Sequence, residues 1–260
     1  MAKKKLKEKQ HFFNNPFDFT LCITVFLMLA LGIVMVLSAS SPSSLARSGS
    51  SYEYLRTQVI SAILGIIAML IFSKIDYRFY KKFYKIGYVI SIILLLSVLV
   101  IGYESGGAKR WINLGFTTFQ PSEVVKLLMI VFYATILSEK KEKLQEFMGG
   151  FVYNMAFLGP IIGIILIFQK HFSASLLIIV VTVVMMVVAG CKISHFITVG
   201  TTVGIPGILA LLFLGEGFRL NRVITFLNPW ADIQGSGWQV IQGLYAIGSG
   251  GLFGVGLRSK

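Results

Sequence analysis

Seven long apolar runs, parted by short polar segments, set the plan of this chain. They cover residues 17–40, 54–72, 86–101, 124–137, 151–168, 172–189 and 196–214. A helix needs about 20 apolar residues, with roughly 17 as the lower limit, to cross the hydrocarbon core of a bilayer. Several runs sit near that limit. One such run alone would fit the buried helix of a soluble core, but seven in succession predict an all-α, polytopic integral membrane protein with about seven transmembrane helices. Small residues four apart, at Gly159 and Gly163 and at Gly200 and Gly204, predict close helix packing. Kinks are expected near Pro160 and Pro206.

The polar segments set an orientation. With the N-terminus inside, Lys3, Lys4, Lys5, Lys7, Lys9, Lys74, Arg78, Lys81, Lys82, Lys85, Lys140, Lys141, Lys143 and Lys192 all fall on the inner side. The outer side receives Arg47, Arg56, Lys109, Arg110, Lys170, Arg219, Arg222, Arg258 and Lys260, spread over longer loops. Basic residues favour the cytoplasmic side, so the expected topology has a basic cytoplasmic tail over 1–16 and the start of a large extracytoplasmic loop over 215–260. No linker or repeat divides the chain, and a single membrane domain over 1–260 is expected.

Composition agrees. Of 260 residues, 55% are hydrophobic and only 13% charged. The net charge of +13 reads as topology and attraction to membrane lipids. No basic soluble domain exists to bind nucleic acid. The first run exceeds the roughly 7–15 apolar residues of a signal peptide and reads as an uncleaved span. Cys22 and Cys191, on different helices, suggest packing, and His11, His171 and His195 form no metal-binding pattern, so no metal is assigned. The glycines of 248–256 lack nucleotide-loop spacing and predict a close-packed or re-entrant outer segment. An eighth span over 241–257 would contain six glycines.

Two regions carry chemistry. Segment 107–126 is a basic, aromatic loop holding Lys109, Arg110 and Trp111, which runs into a hydrophobic helix bearing Glu123 and Lys126. An ionised side chain at the centre of a spanning helix costs about 2.5–3.5 kcal/mol on insertion scales, so such residues mark working sites. Three positions apart, Glu123 and Lys126 share one helical face and can neutralise each other. The second region, 217–239, gathers Arg219, Arg222, Trp230, Asp232 and Trp238 on the outer side. Arginine matches phosphate oxygens with several donors and tryptophan favours the headgroup level, a surface suited to an anionic amphiphile.

The run Lys109-Arg110-Trp111-Ile112-Asn113-Leu114, with Gln120-Pro121-Ser122-Glu123 and Lys126, resembles a signature of the SEDS family (shape, elongation, division and sporulation). Asn228-Pro229-Trp230-Ala231-Asp232, with Gly235-Ser236-Gly237, Gln239 and Gln242, resembles a second, and 244–254 extends it. The Pro-Trp-Ala-Asp form and Tyr245 are more similar to the FtsW and SpoVE branch than to RodA. The resemblance implies a fold of about ten spans and a peptidoglycan glycosyltransferase of the bacterial cytoplasmic membrane, polymerising lipid II for division or sporulation. It implies a class B penicillin-binding protein and other divisome membrane proteins as partners. Lys109, Arg110, Glu123, Lys126, Arg219 and Arg222 are then the candidate substrate-binding residues, and cofactors remain unassigned. A lipid II flippase or other lipid transporter, or a non-catalytic divisome scaffold, are the alternatives.

Two departures qualify the resemblance. Where family members often carry Gln-Pro-Asp-Leu-Gly-Thr, this chain has Gln169-Lys170-His171-Phe172-Ser173-Ala174, and no role is carried to that loop. The family's essential aspartate lies in a Thr-Asp-Phe-Ile-Phe motif downstream of the glycine-rich segment. The expectation is therefore a C-terminally incomplete domain with no catalytic residue assigned, and Asp232 does not stand in for the missing aspartate.

Overall fold

The computed structural model describes residues 18–105, 108–115, 117–213, 224–251, 254 and 256. The expected basic tail over 1–16, Arg219 and Arg222 lie outside the described residues. The chain divides into two compact units, 1–70 with 255–260 and 71–254.

In the first unit, α1 (Phe19–Ser48) opens with Asp18, whose carboxylate accepts a hydrogen bond from Leu21 N at 2.9 Å. It closes at Gly49, where φ of 72° suits a residue without Cβ. Its 30 residues exceed the bilayer core, so α1 tilts or projects from it. α2 (Glu53–Ser73) follows, its last three residues belonging to the second unit.

The second unit begins with the short α3 (Tyr77–Lys82) and continues through α4 (Tyr84–Ile101). Three strands come next, β1 (Tyr103–Ser105), β2 (Ala108–Asn113) and β3 (Thr118–Phe119), paired as an antiparallel meander. α5 (Pro121–Glu139) starts with proline in its first turn, where the missing N–H costs nothing. α6 (Tyr153–Gly163) lies between π-helical turns at Phe147–Val152 and Ile164–Phe168. α7 (Phe172–Ala189) ends at Gly190, with φ of 110°. Then come α8 (Ile193–Val199), a π-helical turn at Gly200–Gly204 and α9 (Ile205–Phe213). A 3-10 turn at Pro229–Asp232 leads to α10 (Trp238–Gly250).

This is an all-α polytopic membrane protein with one small sheet in a connecting loop. Among the described residues, six helices are long and apolar enough to cross a membrane. The seventh expected run is helical from Ile193 to Phe213, through α8, the π-turn and α9. The π-turn falls just before Pro206, whose ring would clash with a carbonyl one turn back in a regular helix. Over the eighth candidate span, the described helix is α10, which ends at Gly250. α10 has 13 residues, about 20 Å at the α-helical rise, against a core of roughly 30 Å. Outward-facing apolar side chains such as Val100 and Val188, each 82% exposed, suit lipid as solvent.

α5 is the central helix of this unit, packed on α4 and α7. Phe132 touches the rings of Tyr84, Tyr88, Tyr133 and Phe157. Tyrosine hydroxyls tie the helices together. The Tyr88 hydroxyl donates to Phe157 O at 2.9 Å, and the Tyr133 hydroxyl donates to Asn154 O at 2.8 Å. Among the described residues, no neighbouring helix comes close to the small residues expected to pack. A Cβ added at Gly159, Gly163 or Gly200 would meet open space.

Loop contacts sort the connections into two ends. Lys81 pairs with Glu139 at 3.5 Å, and Phe147 and Phe151 pack edge-on against His195. That end gathers three segments assigned to one side by their basic residues. At the other end, Gln120 meets His171.

Candidate functional site

The meander positions the basic residues. Along β2, Ala108 is buried, Lys109 exposed and Arg110 half-buried. Lys109 stands opposite Glu104 on β1, an opposite-charge cross-strand pair. The turn into β3 is shaped by Asn113, whose Oδ1 accepts from Gly115 N at 2.8 Å, with Gly115 at φ of 85°.

β3 delivers the chain to Gln120, the capping residue of α5, and the next turn presents the expected ion pair. Lys126 Nζ lies 2.7 Å from Glu123 Oε2, with side chains 22% and 57% exposed. The pair borders a cavity of about 390 Å³ between α5 and α7. Val124, Leu127, Ile130, Leu177, Val181 and Met185 supply most of its remaining lining. The cavity therefore has a charged end and an aliphatic body.

His171 joins this group, a residue the sequence reading left without a role. Gln120 Nε2 lies 3.2 Å from its Nδ1. An amide nitrogen can only donate, so Nδ1 accepts and the ring is neutral. Burial, then the charge of Arg110, hold the imidazole below its ordinary protonation range; Glu123 opposes this and Lys126 adds to it. Arg110, Glu123 and Lys126 are thus within electrostatic reach of one side chain. Its own loop is firmly held: buried Gln169 donates from Nε2 to Leu95 O at 2.9 Å, and His171 N donates to Ile165 O at 3.1 Å.

The second expected region is only partly described. Asp232 accepts from Gly235 N at 3.0 Å, Ser236 N at 2.8 Å and the Ser236 hydroxyl at 3.1 Å. The bonds from Ser236 hold its carboxyl below the usual carboxylate range. A Cβ at Gly235 would fall 2.2 Å from Asp232 Oδ2, and one at Gly237 2.1 Å from Pro229 O. The motif is a self-closed turn, and its carboxylate serves the turn. Trp230 meets Tyr245 edge-on at 5.9 Å.

A family model described as a cell cycle protein, for FtsW, RodA and SpoVE, matches residues 19–260. The chain belongs to this family. It is 37% identical over 248 residues to stage V sporulation protein E of Bacillus subtilis (strain 168), covering 92% of this chain and 65% of that protein. It is 36% identical over 243 residues to a probable peptidoglycan glycosyltransferase FtsW of Geobacter sp. (strain M18), covering 93% and 65%. Among solved structures, it resembles a chain of a peptidoglycan synthase complex that coordinates polymerization and crosslinking. That match has a TM-score of 0.66 and 26% identity, over 85% of this chain and 65% of the other. The chain thus spans just under two thirds of the length of these relatives. In this chain, Lys109 and Arg110 on β2 and Glu123 and Lys126 on α5 lie at one end of the bundle. Among the described residues, no three His, Cys, Asp or Glu side chains gather to hold a metal ion.

Proposed function

We propose that this protein is a peptidoglycan glycosyltransferase that polymerises lipid II at the outer face of the bacterial cytoplasmic membrane, in division or sporulation. The observation that carries the reading is a charged cluster at the mouth of an aliphatic cavity. Lys126 and Glu123 stand at its polar end, Arg110 acts with them on the His171 ring, and α5 and α7 line its body. Lipid II is an amphiphile of the same design, a pyrophosphate joining a disaccharide-pentapeptide to a long polyprenyl tail. Arg110, with Lys109, Arg219 and Arg222, contacts the phosphates, since guanidinium groups match their geometry with several donors. The Glu123–Lys126 pair shapes the polar end and keeps a cation near the pyrophosphate as its charge grows on leaving.

The N-terminus is cytoplasmic in this reading, and 215–260 opens an extracytoplasmic loop of a single membrane domain. A class B penicillin-binding protein cross-links the strands, and other divisome membrane proteins and membrane lipids complete the setting. Labelled lipid II supplied to the chain carried to its relatives' length, with a class B penicillin-binding protein, tests the reaction. Glycan ladders that disappear in Arg110→Ala support it. Lipid II moved across vesicle bilayers without any glycan formed would replace it with transport.

A further inference from the structure

Three features converge on the loop between α6 and α7. Ile164–Phe168 is a π-helical turn, a form that often marks functional sites. Lys170 has φ of 48°, a left-handed backbone that a residue with a Cβ adopts only when its surroundings compel it. The surroundings do so here through Gln169, held at Leu95 O, and through His171, whose N–H is held at Ile165 O. The imidazole is thereby presented at a fixed place, and what it meets is Gln120.

Gln120 is the capping residue of α5, yet its side chain makes no cap hydrogen bond to the helix. It donates instead to His171 Nδ1, 51 positions away in sequence. The next turn of α5 carries Glu123 and Lys126. The contact therefore joins a rigid loop to the start of the helix bearing the ion pair, and it exists only while Nδ1 has a free lone pair. We infer that His171 is a positioning residue that fixes the polar end of the cavity through Gln120, and that protonating its imidazole releases this hold. Once Nδ1 carries a proton, the Gln120 amide must turn over to offer its oxygen or withdraw. The charged groups facing the imidazole are Arg110 on β2 and Glu123 and Lys126 on α5, with Lys170 preceding it in the chain. A new positive charge there competes with Lys126 for Glu123. Burial first, and then two cations against one carboxylate, favour the neutral ring.

The inference deepens the proposed function and depends on it only for the ligand. The test has two arms, both on the purified chain in nanodiscs. In the first, nitrogen-detected NMR follows the imidazole and the Gln120 side-chain amide from pH 8 to 5, without ligand. The neutral ring should carry its proton on Nε2, and the Gln120 signal should move with the His171 titration. A Gln120 amide indifferent to that titration overturns the inference. In the second arm, fluorescent lipid II binding is measured over the same range. His171→Asn keeps an acceptor at the place of Nδ1 and cannot titrate, so it should bind better than His171→Leu at pH 7.5 and lack the acid-side loss beyond what the lipid phosphates themselves cause. His171→Leu should weaken binding about threefold to tenfold at every pH, the worth of roughly one hydrogen bond. A wild-type acid profile in His171→Asn overturns the inference. Should wild type bind no lipid II, the proposed function fails, and the NMR arm alone decides the role of His171.

Discussion

Separating Glu123 from Lys126 should show how much the ion pair holds and which partner depends more on the other. At 2.7 Å, two unit charges attract by about 1.5 kcal/mol at the dielectric constant of water and about 6 kcal/mol at an effective value of 20. Glu123 is 57% exposed and Lys126 only 22% exposed, which draws the net value toward the wet limit. Desolvation of the lysine removes more. A coupling of about 1–2 kcal/mol remains, a factor of roughly 5–30 in an equilibrium. The two single changes should differ. Glu123→Gln strands a mostly covered ammonium, whereas Lys126→Met leaves a carboxylate that water can reach, so the first should cost more. The double change should cost less than the two single changes together. Reversible unfolding in mixed detergent micelles, run as a double-mutant cycle, measures all four species. Strictly additive losses, or a larger loss from Lys126→Met, would refute the reasoning.

Three further outcomes follow from the described geometry. Gly237→Ala should open the Pro229–Asp232 turn, because its Cβ would stand 2.1 Å from Pro229 O, and hydrogen exchange over 229–238 should rise sharply. The same turn should be insensitive to pH from about 5 to 9: the Asp232 carboxyl is held low, so its contribution is complete above the ordinary carboxylate range of roughly 4 and is lost only as pH falls through the lowered value. Amide exchange at Ser236 across pH, corrected for intrinsic rates, checks this. Cysteine labelling in intact cells should reach positions 43 and 235 from outside and leave 81 and 141 protected; a protected 235 would place the second motif on the wrong side for lipid II.

The spans were legible because apolar runs of this length have few other uses. The 172–189 run matches α7 end to end, since His171 precedes it and Gly190 closes it in a left-handed turn. α5 extends beyond its apolar run at both ends, because Pro121 opens its first turn and the polar Ser122, Glu123, Ser138 and Glu139 are helical. The Glu123–Lys126 pair was legible from spacing alone, as helical neighbours are local. The meander was missed because glycines and charges at 102–115 masked short β-forming stretches around Trp111 and Ile112. Gln120 with His171, and Gln169 with Leu95, were hidden for another reason: each pair is joined by helix packing across 51 and 74 positions, which no local pattern records. The role of Asp232 was hidden likewise, because a carboxylate beside arginines and tryptophans reads the same whether it faces a ligand or closes its own turn.

The central claim is that the charged mouth of the α5–α7 cavity receives the pyrophosphate of a polyprenyl-linked substrate. Equilibrium binding of fluorescent lipid II to the purified chain in nanodiscs tests it most directly. Binding should be saturable, weakened by salt because charge pairing contributes, displaced by undecaprenyl pyrophosphate but not by undecaprenol, and reduced at least tenfold in the Arg110→Ala, Lys126→Met double variant, about 1.4 kcal/mol. Saturable binding that the double variant leaves unchanged, or that undecaprenol displaces as well as the pyrophosphate does, would contradict the account.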